Sequence, residues 1–213
     1  MKSKKCKNDD YYKELCTKKN TYQEVVAQLK KTNGEVEKDY FGKVSYHNYL
    51  ADPDRKSLKR KKLAKSKKGL WAHHILEYDT PNLSSPASLR KNKILFFHQE
   101  KKNLVYCDLV EHIILHAFIA KETHGERGMD GLLALFGQYK RWYIDPSKKD
   151  DLEKDKLAPY RNAVNLTTTE AIQIAKVIGN IVDELNNDKK ELFFTRISLL
   201  QDSSESQVIE SSV

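Results

Sequence analysis

The sequence predicts an α+β chain, mainly helical, built around two short strands and one buried helix. Three observations lead there. Apolar residues recur at helical spacing in several segments that open on N-terminal capping signatures. Two short stretches, 69–76 and 104–107, carry instead the loose alternation and bulky apolar residues of strands. The run from Asp108 to Ala120 is almost wholly apolar apart from Glu111, His112 and His116, which marks a helix enclosed on most sides.

Composition sets the frame. At 213 residues, 39% apolar and 32% charged, the chain is long enough to bury a real core, as one domain or a core with an appended subdomain. Its net charge of +8 favours polyanionic partners, nucleic acid first and an acidic membrane surface second. Cys6, Cys16 and Cys107 are odd in number and widely spaced, with no C-x-x-C pair, so no disulfide framework is expected and a reducing cytoplasm fits. The basic start, Met1-Lys2-Ser3-Lys4-Lys5, leads into no apolar stretch, so it does not read as a signal peptide. No run approaches the roughly 18 apolar residues of a membrane span.

Residues 1–20 are dense in charge and read as an arm, mobile or marginally helical. The region 21–68 is helical and then basic. Thr21 and Glu24 are spaced as a capping box, Val25, Val26 and Leu29 form a stripe, and Thr32-Asn33-Gly34 supplies a stop. Tyr40, Phe41, Tyr46, His47 and Tyr49 fit a small packed unit better than a base-stacking surface. Arg55, Lys56, Lys59, Arg60, Lys61, Lys62, Lys65, Lys67 and Lys68 follow with no acidic residue among them. A charge run is usually a solvated face. This one directly precedes a histidine pair, which favours phosphate contact and the sequence-independent affinity that counterion release provides.

The core is placed at 69–122. Within it, 79–90 is loop chemistry rich in Pro, Asn and Ser, Ile94-Leu95-Phe96-Phe97 is expected to be buried, and Lys101-Lys102-Asn103 turns into the second strand. Asp108 and Glu111 cap the buried helix. A helical region spans 123–200. It comprises a flexible glycine-rich stretch from Gly125 to Gly131, a helix from Leu132 to Tyr143 and a charged linker over 145–156. A helix capped by Thr167 and Glu170 follows, with Ile172, Ile174, Ala175, Ile178, Ile181, Val182 and Leu185 on its apolar face, stopping near Asn186-Asn187-Asp188. An apolar segment at 191–200 is expected to pack, and the Ser-rich tail 201–213 to be disordered.

The chemistry lies in the core, and in four of its histidines: His73, His74, His112 and His116. Histidine is a general base near neutral pH and the commonest metal ligand. His112 and His116 are spaced i, i+4, on one helix face and close enough to share a metal. Such a pair alone is more often structural. Adjacent His73 and His74 point to opposite faces if the strand is regular; if it is twisted or ending, one can face a metal and the other a substrate water. The combination in this order carries more weight than either pair.

This order of elements resembles the HNH, or ββα-metal, nucleases, among them the colicin-type DNases and phage-encoded HNH endonucleases. The residues that carry the resemblance are His73-His74-Ile75, Asn103-Leu104-Val105 and Glu111-His112-x-x-x-His116, within residues 70–120. It implies two antiparallel strands and a helix around one divalent ion, and a metal-dependent endonuclease acting on double-stranded DNA in a phage, homing or restriction-defence setting. His74 would then be the general base, and His73, His112 and His116 the metal ligands. Asn103 would hold the loop and orient the base, or touch the metal. Magnesium, manganese, zinc and nickel are all candidates for the ion, and imidazole-rich ligation does not select magnesium cleanly. A palindromic target would suit a homodimer.

The chain departs from the family in its long loop, 77–99, where Glu77 or His98 could replace an assigned ligand, and in lacking bracing cysteine pairs. His47 and His124 fit no role. Two alternatives stand beside the nuclease: a non-catalytic nucleic-acid-binding module with zinc on the same histidines, and a secreted or injected nuclease toxin.

Overall fold

A computed structural model describes residues 7–61, 68–144, 157–185 and 188–198. Lys62, Lys65 and Lys67 of the basic run, the 145–156 linker and the 201–213 tail lie outside the described residues. The architecture is α+β and mainly helical, with a two-stranded antiparallel sheet packed against one helix. The elements are α1 (Asp9–Leu15), α2 (Tyr22–Asn33), α3 (Lys43–Ala51), β1 (Trp71–His74), α4 (Pro86–Lys91), β2 (Leu104–Cys107), α5 (Leu109–Glu122), α6 (Met129–Tyr143), α7 (Ala158–Arg161) and α8 (Thr168–Val182). A helical segment covers 188–198, and short 3-10 turns follow β1 and precede β2.

The capping signals work as their chemistry requires. Thr21 with Glu24, Asp108 with Glu111 and Thr167 with Glu170 all form reciprocal boxes at the starts of α2, α5 and α8. Gly34 ends α2 with a φ of 77°. Helix α5 is the hub, packing against α6, α8, α2 and α1. None of the helices among the described residues is long and apolar enough to cross a membrane.

The sheet divides two cores. β1 and β2 pair with His73 opposite Val105 and His74 opposite Leu104. Successive side chains point to opposite faces. Val105 and Cys107 therefore join the large helical core, while Ala72, Leu104 and Tyr106 join a smaller one with Tyr40, Phe41, Tyr46, Leu83, Leu89 and Phe96. The aromatic unit at 40–49 is thus a packed one.

Three expectations are corrected. Residues 1–20 are not a loose arm over their described part: α1 buries Tyr12 and Leu15 completely in the large core. Its buried face is only one turn long, too short to give a periodic signal among the charges. The run Ile94–Phe97 is not buried throughout, because a 3-10 turn sends Phe96 inward and leaves Leu95 69% and Phe97 46% exposed. The glycine-rich stretch is a close approach between helices. A side chain at Gly128 would strike the His116 carbonyl and the Ala120 amide of α5, and the φ of 82° at that position also favours glycine.

Candidate metal centre and cleft

His73, on the α5-facing side of β1, meets His112 and His116 one turn apart on α5. The three ring centroids form a nearly equilateral triangle with sides of 5.0, 5.1 and 5.1 Å. One ligand atom from each lies within 4.8 Å of the others, and the group could hold a metal ion. Nδ1 of each of the three is buried with no hydrogen-bond partner. Unpaired buried polar atoms are costly. A cation held by the three rings would relieve those nitrogens that face the cluster, whereas His116 turns its Nδ1 towards Gly131 and its Nε2 towards Glu77.

The tautomer of His73 follows from its neighbour. Tyr22 at the start of α2 donates its hydroxyl hydrogen to the Ile75 carbonyl at 2.9 Å. A carbonyl can only accept, so the same oxygen must accept from His73 Nε2, 3.0 Å away. The proton sits on Nε2, and the lone pair on Nδ1 faces the cluster. Tyr22 is thus positioned as an outer partner that would orient His73 as a ligand. On the far side, a Cβ at Gly131 of α6 would collide with the His116 ring, so this glycine makes room for that imidazole.

His74 occupies the other face of β1. Its ring packs 4.4 Å from the Tyr40 ring, and Nε2 lies 3.0 Å from Gln99 Oε1. Gln99 is wholly buried and donates its amide to the Leu83 carbonyl at 3.1 Å. That bond fixes the amide orientation, so Oε1 must accept from His74 Nε2–H and leaves Nδ1 with the lone pair. Asn103 donates to the Phe97 carbonyl at 2.7 Å, holding the turn that carries Gln99. It does not line the cleft.

Burial lowers the pKa of all four imidazoles. For His73 and His112 the charge of neighbouring histidines adds to it. His116 is pushed down to about 4. His74 is also pushed down to about 4, with Gln99 opposing the shift. All four are neutral at pH 7. Burial raises the Glu77 carboxyl to about 7, against a hydrogen bond from the Leu83 backbone.

The four histidines share one cleft of about 520 Å³, lined also by Arg60, Trp71, Glu77, Asn82, Ser84, Arg127 and Gly131. Within the described part of the basic run, Arg60 is the residue that reaches it, its guanidinium 5.2 Å from the Tyr40 ring. Arg55 packs partly, and Lys56, Lys59 and Lys61 are exposed away from the cleft lining. His98 turns its Nδ1 to the Leu95 carbonyl outside the cleft. His47 and His124 are surface residues.

Tyr22, Gln99 and Arg127 are site residues that the sequence did not single out. Tyr22 looks like the first residue of an amphipathic helix, Gln99 like loop polarity and Arg127 like part of a flexible turn. Each is brought in by contacts distant in sequence, such as Arg127 Nη1 on the Tyr78 carbonyl at 3.0 Å. Compared with models of known protein families, with curated proteins and with solved structures, the chain matches none.

Proposed function

We propose that the chain is a metal-dependent endonuclease that hydrolyses phosphodiester bonds of double-stranded DNA. The observation that carries this reading is the placement of a neutral, oriented imidazole, His74, in the same cleft as three converging imidazoles with orphaned nitrogens. His73, His112 and His116 would hold one divalent ion. When bound, such an ion supplies Lewis-acid stabilisation of the charge on the phosphate and the leaving oxygen.

His74 does the proton work. Its Nε2–H is committed to Gln99, so Nδ1 takes a proton from the attacking water. Burial keeps the imidazole unprotonated at neutral pH. Asn103 and Gln99 hold the base in place through the 96–99 turn. Arg60 and Arg127 put positive charge on the cleft lining, where a phosphodiester would lie. The rest of the basic run would add non-specific backbone affinity.

The test is cleavage. Purified protein supplied in turn with magnesium, manganese, zinc and nickel is expected to nick or cut duplex DNA with at least one of these ions. His74→Ala is expected to cut at least about 100-fold more slowly, the usual contribution of a general base, while binding DNA and metal normally. Full activity in that variant would overturn the assignment.

The burial of His73, with 1% of its surface exposed, favours a second reading: a structural zinc in a nucleic-acid-binding module. That reading expects stoichiometric zinc, salt-sensitive DNA binding and no cleavage with any metal.

A further inference from the structure

The donors around the cluster do not end at three imidazoles. Glu77 lies four residues after His73, on the 3-10 turn (Ile75–Tyr78) that follows β1. Its Oε2 is 3.7 Å from His73 Nδ1 and 3.8 Å from His116 Nε2. Both separations are too long for a hydrogen bond. Donors ~2.1 Å from a common tetrahedral ion lie ~3.4 Å apart, so Glu77 Oε2 is within a few tenths of an ångström of that spacing from His73 Nδ1 and from His116 Nε2. It lies, however, outside the three-histidine group whose ligand atoms are all within 4.8 Å of one another.

The lone pairs argue the same way. His73 donates its Nε2–H to the Tyr22 oxygen, so its Nδ1 faces the carboxylate as an acceptor. No hydrogen bond relieves that nitrogen. An imidazole lone pair and a carboxylate facing each other in a buried site repel unless a cation, or the proton that the raised Glu77 carboxyl keeps below about pH 7, lies between them. The turn geometry places Glu77 on the cleft side, where it joins the lining with the histidines.

We propose that Glu77 is the fourth protein ligand, making the centre a set of three imidazoles and one carboxylate. This rests on the metal-site reading above and adds a selection rule to it. A carboxylate oxygen suits hard ions such as manganese, whereas imidazole alone suits zinc and nickel. Four protein ligands complete the tetrahedron that zinc prefers and leave it no open position. A six-coordinate manganese ion keeps two positions for phosphate and water. Manganese is therefore the activating ion, and zinc fills the site without turnover.

Manganese alone, titrated into the full chain and followed by the electron paramagnetic resonance of free ion, tests this. Zinc affinity is measured beside it by competition with a chromophoric chelator. The wild type is expected to bind one manganese ion. Glu77→Gln is expected to bind manganese at least about 10-fold more weakly, the least that losing a supporting group at a metal site brings, and to lose less affinity for zinc. Equal manganese affinity in the two proteins overturns the role of Glu77 and leaves the three-histidine site standing. A wild type that takes up neither ion overturns the metal-site reading itself. Should Glu77→Gln fail to fold by circular dichroism, a crystal structure of the manganese-loaded wild type decides. A Glu77 oxygen within about 2.3 Å of the ion supports the proposal, and an ion held by the imidazoles with Glu77 out of bonding range overturns it.

Discussion

The two faces of β1 make an instructive comparison. His73 and His74 are adjacent, both nearly inaccessible and both stripped of charge by burial. Their surroundings differ. His73 faces helices, with Tyr22 from α2 and His112 and His116 from α5 fixing its place. His74 faces turns and loops, with Gln99, Tyr40 and the Leu83 carbonyl behind it. One face gathers three imidazoles into a group that could hold a metal ion. The other holds a single imidazole in place against Gln99. A strand of four residues suffices because its period of two delivers neighbours to opposite sides.

Variants on the two faces should therefore fail in different ways. The largest separation is expected from His116→Ala against His74→Ala. Removing His116 abolishes stoichiometric metal uptake, read by metal analysis after gel filtration, whereas removing His74 leaves uptake intact and takes away cleavage. Loss of metal in both would merge the two faces into one structural unit. Next comes Gly131→Ala, whose methyl group displaces the His116 ring. It should weaken metal binding about 10- to 100-fold, as disturbed ligand support does, in isothermal titration.

Smaller effects should fall on the outer partners. Tyr22→Phe releases the His73 tautomer and is expected to reduce metal affinity about 10-fold with little change in kcat at saturating metal. Gln99→Leu should show the reverse pattern: unchanged metal affinity and lower kcat, as His74 loses its fixed orientation. A kcat effect in the first or an affinity effect in the second would break the division of labour.

The smallest and broadest signal is the pH dependence of stability. The four histidines have folded pKa values below their usual 6.5. The unfolded chain therefore binds more protons on them, and their contribution is present above pH 6.5 and lost as pH falls towards 4. Glu77 and Glu111, which burial pushes up, act in the opposite direction, and Arg60 is a fixed charge near His74. Four histidines outweigh two carboxylates. The metal-free protein should lose thermal stability steadily from pH 6.5 to 4. Bound metal should shift that loss to lower pH through its ligands, His73, His112 and His116 among them, and not through His74.

What could be read from the sequence was local. Capping boxes declare themselves within four residues, and so did the starts of α2, α5 and α8. The i, i+4 histidines share a face on any helix, so the pairing on α5 was legible as well. The strand pair was legible in type, although β1 is shorter than the stretch that suggested it. What stayed hidden depends on distant contacts. Nothing around Tyr22 announces a partner 51 residues away, nor does Gln99 announce one 25 residues away. Glu77 was visible as a candidate donor, but only the turn after β1 brings it within 4 Å of His73 and His116. The exposure of Leu95 and Phe97 depends on a 3-10 turn, whose threefold repeat breaks the rule that an apolar run is buried together.

The first turn of α5 has a consequence for how the protein reaches its native state. Asp108 and Glu111 are buried at that end of the helix, and Lys7 reaches both at 2.8 and 2.6 Å, with Tyr12 donating to Asp108. The Lys7–Asp108 contact spans 101 positions of the chain. Closing so long a loop is entropically slow, and until it closes two carboxylates lack their counter-charge. The first turn of the helix that presents His112 and His116 is thus held by contacts about a hundred positions away in the chain.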